Sequence, residues 1–88
     1  RIATMNAATL KDEGLPFANE ASMAKLIASE MCIDVSSKAI QVHGGIGYFQ
    51  DAGVERIFRD ARVTTIYEGT SEVQKLIIAR QILAQYPL

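Results

Sequence analysis

A run of apolar side chains between Phe17 and Val42 constrains this chain more than any other feature. Phe17, Ala21, Ala24, Ala28, Met31, Val35, Ala39 and Val42 alternate three and four residues apart, the spacing of one face of a helix. Gly14 and Pro16 precede the run and Gly44-Gly45 follows it, so the pattern predicts a single long helix from about Ala18 to Val42. Small residues in the seam let another backbone come close. Met23, Ile27 and Ile40 widen the apolar surface, as expected of a helix with several neighbours.

Three shorter helices are predicted around it. The first runs from about Ile2 to Glu13, rich in alanine, with Gly14 past its last turn. Another spans about Gly53 to Ala61, with Val54, Ile57, Phe58 and Ala61 on one face. The last covers about Ser71 to Ala84 and stops before Pro87, with Val73, Leu76, Ile77 and Leu83 at helical spacing. Val63 to Tyr67 is β-branched and reads as extended, without a partner strand. The expectation is an all-α fold that forms part of a helical bundle. A chain of 88 residues is one small domain, burying roughly 60–65% of its unfolded surface.

Nine basic against ten acidic side chains give a formal charge of −1, which offers no field to recruit nucleic acid or an anionic membrane. The single Cys32 excludes an internal disulfide framework and reads as a small buried hydrophobe. No Cys/His spacing suggests a metal site. No apolar run approaches transmembrane length, and nothing resembles a signal peptide.

Chemistry concentrates in Tyr67-Glu68-Gly69-Thr70-Ser71-Glu72-Val73-Gln74. Glu68 sits on a glycine-containing bend just ahead of a helix start, where backbone N–H groups point outward. Ser71 with Gln74 three residues later fits a capping box. Taken alone, that arrangement is common, and capping accounts for it. The upstream Gln41-Val42-His43-Gly44-Gly45-Ile46-Gly47-Tyr48 is not a dinucleotide fingerprint, because it follows a helix and lacks the third glycine at the right spacing. His43 reads as a helix-end or packing histidine. Arg59, Asp60 and Arg62 read as an ion-pair network, the three methionines as core filler, and Tyr67 as buried with its hydroxyl satisfied.

Together these segments resemble the C-terminal region of the flavin-dependent acyl-CoA dehydrogenases. The likeness takes in Leu10-Lys11-Asp12-Glu13-Gly14-Leu15-Pro16, Glu20-Ala21-Ser22-Met23-Ala24-Lys25, Arg59-Asp60-Ala61-Arg62 and Ile66 through Glu72, in the family's order and over essentially the whole chain. The ordered combination is specific where each piece is weak. The resemblance implies part of the family's C-terminal four-helix-bundle domain. The chain is thus read as a fragment, inactive alone, lacking the upstream helix, the β domain and the N-terminal helical domain.

By motif, Glu68 takes the position of the catalytic base in α,β-dehydrogenation of acyl-CoA thioesters, with its backbone N–H a donor to the thioester carbonyl. Gly69 would lie against substrate, and Arg80 matches a position near the substrate's nucleotide part. Thr70, Ser71 and Glu72 match a segment contacting FAD in the same subunit. Gln41, Val42, His43, Gly44 and Gly45 match one contacting the FAD of a neighbouring subunit. The resemblance further implies an electron-transfer flavoprotein as partner and self-association into a homodimer or homotetramer. Localisation would be cytoplasmic in a bacterium or the mitochondrial matrix in a eukaryote. An acyl-CoA oxidase and a non-catalytic helical interaction module are the alternatives.

Overall fold

The computed structural model describes residues 1–86. Its helices are α1 (Ile2–Asp12), α2 (Ala18–His43), α3 (Val54–Arg62) and α4 (Ser71–Gln85), with 3₁₀ turns at Gly44–Tyr48, Gln50–Ala52 and Val63–Thr65. The all-α expectation holds: there is no strand among the described residues. Val63–Thr65, expected to be extended, closes a 3₁₀ turn in which Ile66 and Tyr67 both donate to the Val63 carbonyl. Thr64 and Thr65 hydroxyls bond back to Ala61 and Arg62 carbonyls, so local side-chain bonds outweigh β propensity here.

α1 ends as its glycine predicts. Gly14 adopts φ 71°, its N–H donates to Lys11 O and Leu15 N–H to Leu10 O, the paired bonds of a Schellman stop. The chain then turns back, and α1 lies along α2 where Thr4 and Ala7 face Ala21, Ala24 and Ala28. α4 runs antiparallel to α2. Ser71 meets Glu30 near its start, while Gln81 and Gln85 share a cleft with Asn19 and Glu20 near its end. α3 packs on the far end of α2, with Glu55, Phe58 and Arg59 facing Ser37, Ile40 and Gln41.

The long helix buries a different face from the one its seam suggested. Its buried residues are Ser22, Ala24, Ser29 and Ser36, with Ser29 and Ser36 hydroxyls bonded to carbonyls one turn back. Of the seam, Ala24 is buried and Ala28 half-buried under α1, but Met31 and Val35 are 52% and 57% exposed and Val42 is open. The reason is length. α1 has 11 residues, about 16 Å, and covers less than half of the roughly 39 Å of α2. α4 repeats the pattern: Ser71 and Gln74 are buried while Val73, Leu76 and Leu83 face outward.

Ala7 and Ala24 are the only buried hydrophobic residues described, and no large side chain is fully buried. Met5 and Met31 are exposed, and Cys32 is an exposed thiol rather than core. The radius of gyration, 16.4 Å, exceeds the roughly 12 Å expected for a self-contained domain of this length. This is an open slab of a bundle, with apolar faces of α2 and α4 left uncovered. No described helix is long and apolar enough to cross a membrane.

Candidate active site

Glu68 is the one non-glycine among the described residues with a positive φ, 55°, and Gly69 follows at φ 93°. Left-handed backbone at a glutamate costs on the order of 1–3 kcal/mol and persists only where the surroundings enforce it. Two helices do so. Gln74 of α4 donates from Nε2 to the carbonyls of Glu68 at 3.3 Å and Gly69 at 3.4 Å. Lys25 of α2 donates from Nζ to the Gly69 carbonyl at 2.6 Å. A hydrogen bond to a charged group contributes about 1.5–3 kcal/mol, so the lysine bond alone is comparable to the strain it opposes. The glutamate side chain itself is exposed and free to meet a ligand.

Gly69 is required by its φ, and a Cβ there would also stand 2.5 Å from Gln74 Nε2, the atom that grips the bend. The helix start lies one residue earlier than the capping-box reading assumed. Thr70 is the N-cap, its Oγ1 accepting from Val73 N–H at 3.2 Å, and Ser71 is the first helical residue. Gln74 is thereby displaced to the fourth position, from which its amide grips the bend instead of closing a box. Ser71 turns inward, 4% exposed, and its hydroxyl donates to Glu30 Oε1 at 2.6 Å. Thr70 is half-buried and Glu72 exposed at the helix mouth.

A 340 Å³ crevice opens beside the bend, lined by Lys25, Ala28, Cys32, Thr64, Tyr67 and Glu68 among others. Tyr67 is 53% exposed along this edge, not buried as expected. Arg80 is also exposed, but nine residues beyond Ser71 and thus about 14 Å further along α4.

The second glycine segment is remote from the first. Glu30, beneath Ser71, and His43 are thirteen residues apart on α2, about 20 Å. Gly44 has φ 74° and ψ −153°, and neither Gly44 nor Gly45 has an atom within 4 Å of where a Cβ would sit. Their backbone faces open space, next to the exposed Gln41, Val42 and His43. Gln41 also lines a 660 Å³ cleft with Tyr48, Gln50 and Phe58. His43 is a helix-end histidine as expected, its Nδ1 2.8 Å from the Ala39 carbonyl. Gly47 performs the packing: a Cβ there would stand 2.7 Å from Ile40 O and 2.8 Å from His43 Cβ.

The expected network of Arg59, Asp60 and Arg62 does not form. Arg59 pairs with Glu55 at 2.6 Å and Arg56 with Asp60 at 3.7 Å, while Arg62 bonds the Thr65 hydroxyl. The hydrogen bond and charge of Glu55 raise the Arg59 pKa further above its already high value. These are local bonds along the chain rather than anchors between elements. No cluster of metal-ligating side chains occurs among the described residues.

A left-handed glutamate before a helix mouth and a glycine-opened turn beyond a long helix thus sit on one open helical slab. The chain belongs to the acyl-CoA dehydrogenase family: the family's C-terminal domain matches residues 1–83. It is similar to the mitochondrial short-chain specific acyl-CoA dehydrogenase of Homo sapiens, 54% identical over 98% of this chain and 21% of that protein. A subunit of the caffeyl-CoA reductase–Etf complex of Acetobacterium woodii is 49% identical over 94% of this chain and 22% of its own length. The structure of butyryl-CoA dehydrogenase from Megasphaera elsdenii superposes with a TM-score of 0.92 at 42% identity, over 94% of this chain and 22% of that one. The chain thus spans about a fifth of the length of these relatives.

Proposed function

We propose that this domain supplies the catalytic base and part of the FAD site of an enzyme that dehydrogenates short-chain acyl-CoA thioesters. Glu68 carries that reading: an exposed carboxylate on a strained bend that two helices hold in place, within a family defined by this chemistry. Its carboxylate takes the proton from the substrate α carbon as the α,β double bond forms, and its backbone N–H donates to the thioester carbonyl where negative charge develops. When bound, the flavin accepts the hydride leaving the β carbon. Gly69 keeps the slot beside the base clear, and Arg80 lies along the path of the nucleotide part of the substrate.

The residues present fit a flavin nucleotide. Thr70 and Glu72 stand at a helix mouth whose N–H groups and hydroxyl can meet its polar parts, with Ser71 as the inward anchor. The open main chain of Gly44-Gly45, with Gln41, Val42 and His43, admits the close approach of a planar group. The two segments, about 20 Å apart along α2, are assigned to two cofactors, one of the same subunit and one of a neighbour. That arrangement requires a homo-oligomer, for which the outward apolar face of α4 provides surface. An electron-transfer flavoprotein is the proposed electron partner.

A second reading reverses the reaction, because a reductase subunit shares nearly half of this sequence. The same Glu68, protonated, would then deliver a proton to the α carbon of an enoyl-CoA.

The test is Glu68→Gln in the full-length flavoprotein, which keeps shape and removes proton-accepting ability. Turnover should fall by roughly 10²–10⁴ with FAD content near the parent's. Bleaching of the flavin by acyl-CoA in a single turnover is the decisive observable. Bleaching at the parental rate in the fully flavinated variant places the base elsewhere.

A further inference from the structure

We infer that Lys25 is a positioning residue for Glu68, a role that rests on the reading of Glu68 as the base. A lysine on an open helix face normally extends its charged end into water. Lys25 instead lies half-buried along the crevice and donates to a carbonyl 44 residues away in sequence.

The bond falls where it controls geometry. The peptide plane that follows Glu68 carries its own carbonyl, and the next plane, which leads the bend into α4, carries that of Gly69. Gln74 reaches both, but at 3.3 and 3.4 Å, long for such bonds. Lys25 makes the short contact, 2.6 Å, and reaches the bend from a different helix. Gln74 belongs to the helix that the bend itself starts, so its grip moves with that helix. Lys25 ties the bend to α2, the helix on which α1, α3 and α4 all pack. It thereby fixes the left-handed Glu68 relative to the rest of the domain.

Three variants of the full-length flavoprotein test the role. Lys25→Met keeps the length of the stem and removes the donor, Lys25→Arg keeps a cationic donor, and Lys25→Gln is a neutral polar side chain one atom too short to make the bond. Displacing a reacting group by about 1 Å can cost 10²-fold, so single-turnover flavin bleaching in Lys25→Met should slow by roughly 10–10²-fold. The acyl-CoA dissociation constant and FAD content should stay close to the parent's, and Lys25→Arg should recover most of the rate.

Bleaching at the parental rate in Lys25→Met overturns the inference. If Lys25→Met sheds FAD, Lys25→Gln decides: slowed bleaching at full flavin content supports positioning, and a parental rate overturns it. Loss of FAD in all three variants also overturns it, making the lysine structural. Glu68→Gln, run alongside, separates the two ideas. A slowed Glu68→Gln with an unaffected Lys25→Met removes only the role of Lys25, whereas an unaffected Glu68→Gln removes the base assignment itself.

Discussion

The Glu68–Gly69 bend and the Gly44–Gly47 turn both use glycine to change direction at a helix end, yet they are held in opposite ways. At the bend, side chains from two helices seize the main-chain carbonyls and enforce a left-handed glutamate. At the turn, no side chain among the described residues grips Gly44 or Gly45. The segment is fixed two residues on, where Gly47 lies against the main chain of α2. A proton-transfer base gains from every tenth of an ångström of definition, because geometry sets its reach. A backbone that admits a planar group needs clearance, with its anchor set to one side. The bend is built for position and the turn for access.

Gly69→Ala is the largest insult to that contrast. The new Cβ would meet Gln74 Nε2, the far end of a flexible side chain that can swing away. The backbone at φ 93° cannot be relieved so easily, and the bend should relax by moving Glu68. Full-length enzyme carrying Gly69→Ala should lose about 10²-fold or more in single-turnover flavin reduction while keeping most of its FAD. A parental reduction rate in this variant would mean that the bend tolerates movement, and the contrast with the turn would collapse.

Gly47→Ala attacks the other anchor. Here the obstacle is the Ile40 carbonyl, part of the ladder of α2, so the turn must shift instead. Such overpacking costs about 1–3 kcal/mol, read as a lower apparent Tm of the flavoprotein. The chemical step on enzyme that remains flavinated should be unaffected. A slowed chemical step at unchanged Tm would show that the turn, too, serves position.

Much of this was legible from residue order alone. Gly14 gave the stop of α1, the seam gave the extent of α2 to within a residue, and the bend with its following helix was apparent from Glu68 to Gln74. What escaped depended on partners distant in sequence. Nothing near Lys25 says that its amine reaches Gly69, and nothing near Ser71 names Glu30. The apolar seam misled about burial because periodicity identifies a face, not what covers it. Met31 and Val35 have the right spacing but lie beyond the reach of α1, while Ser22, Ser29 and Ser36 are buried. Cys32 and Tyr67 show the same limit: residue type favours burial for both, yet each lies at the edge of a crevice.

The smallest structural effect is expected at Gly45, and its value lies in that smallness. Nothing stands within 4 Å of a Cβ added there, and the residue is not among the positive-φ glycines. Replacing it by alanine also reduces the freedom of the unfolded chain, a gain of about 0.4–1 kcal/mol where the native backbone is compatible. Gly45→Ala should therefore leave the apparent Tm of the cofactor-free protein unchanged or slightly raised. If the open main chain is the surface that a cofactor approaches, the added methyl group occupies the contact itself. FAD retention, measured by flavin absorbance after gel filtration of the assembled flavoprotein, should then fall although the fold is intact. Equal retention in parent and Gly45→Ala would show that the clearance at this turn is not used by the flavin, leaving Gly47 as the only glycine there with a demonstrable task.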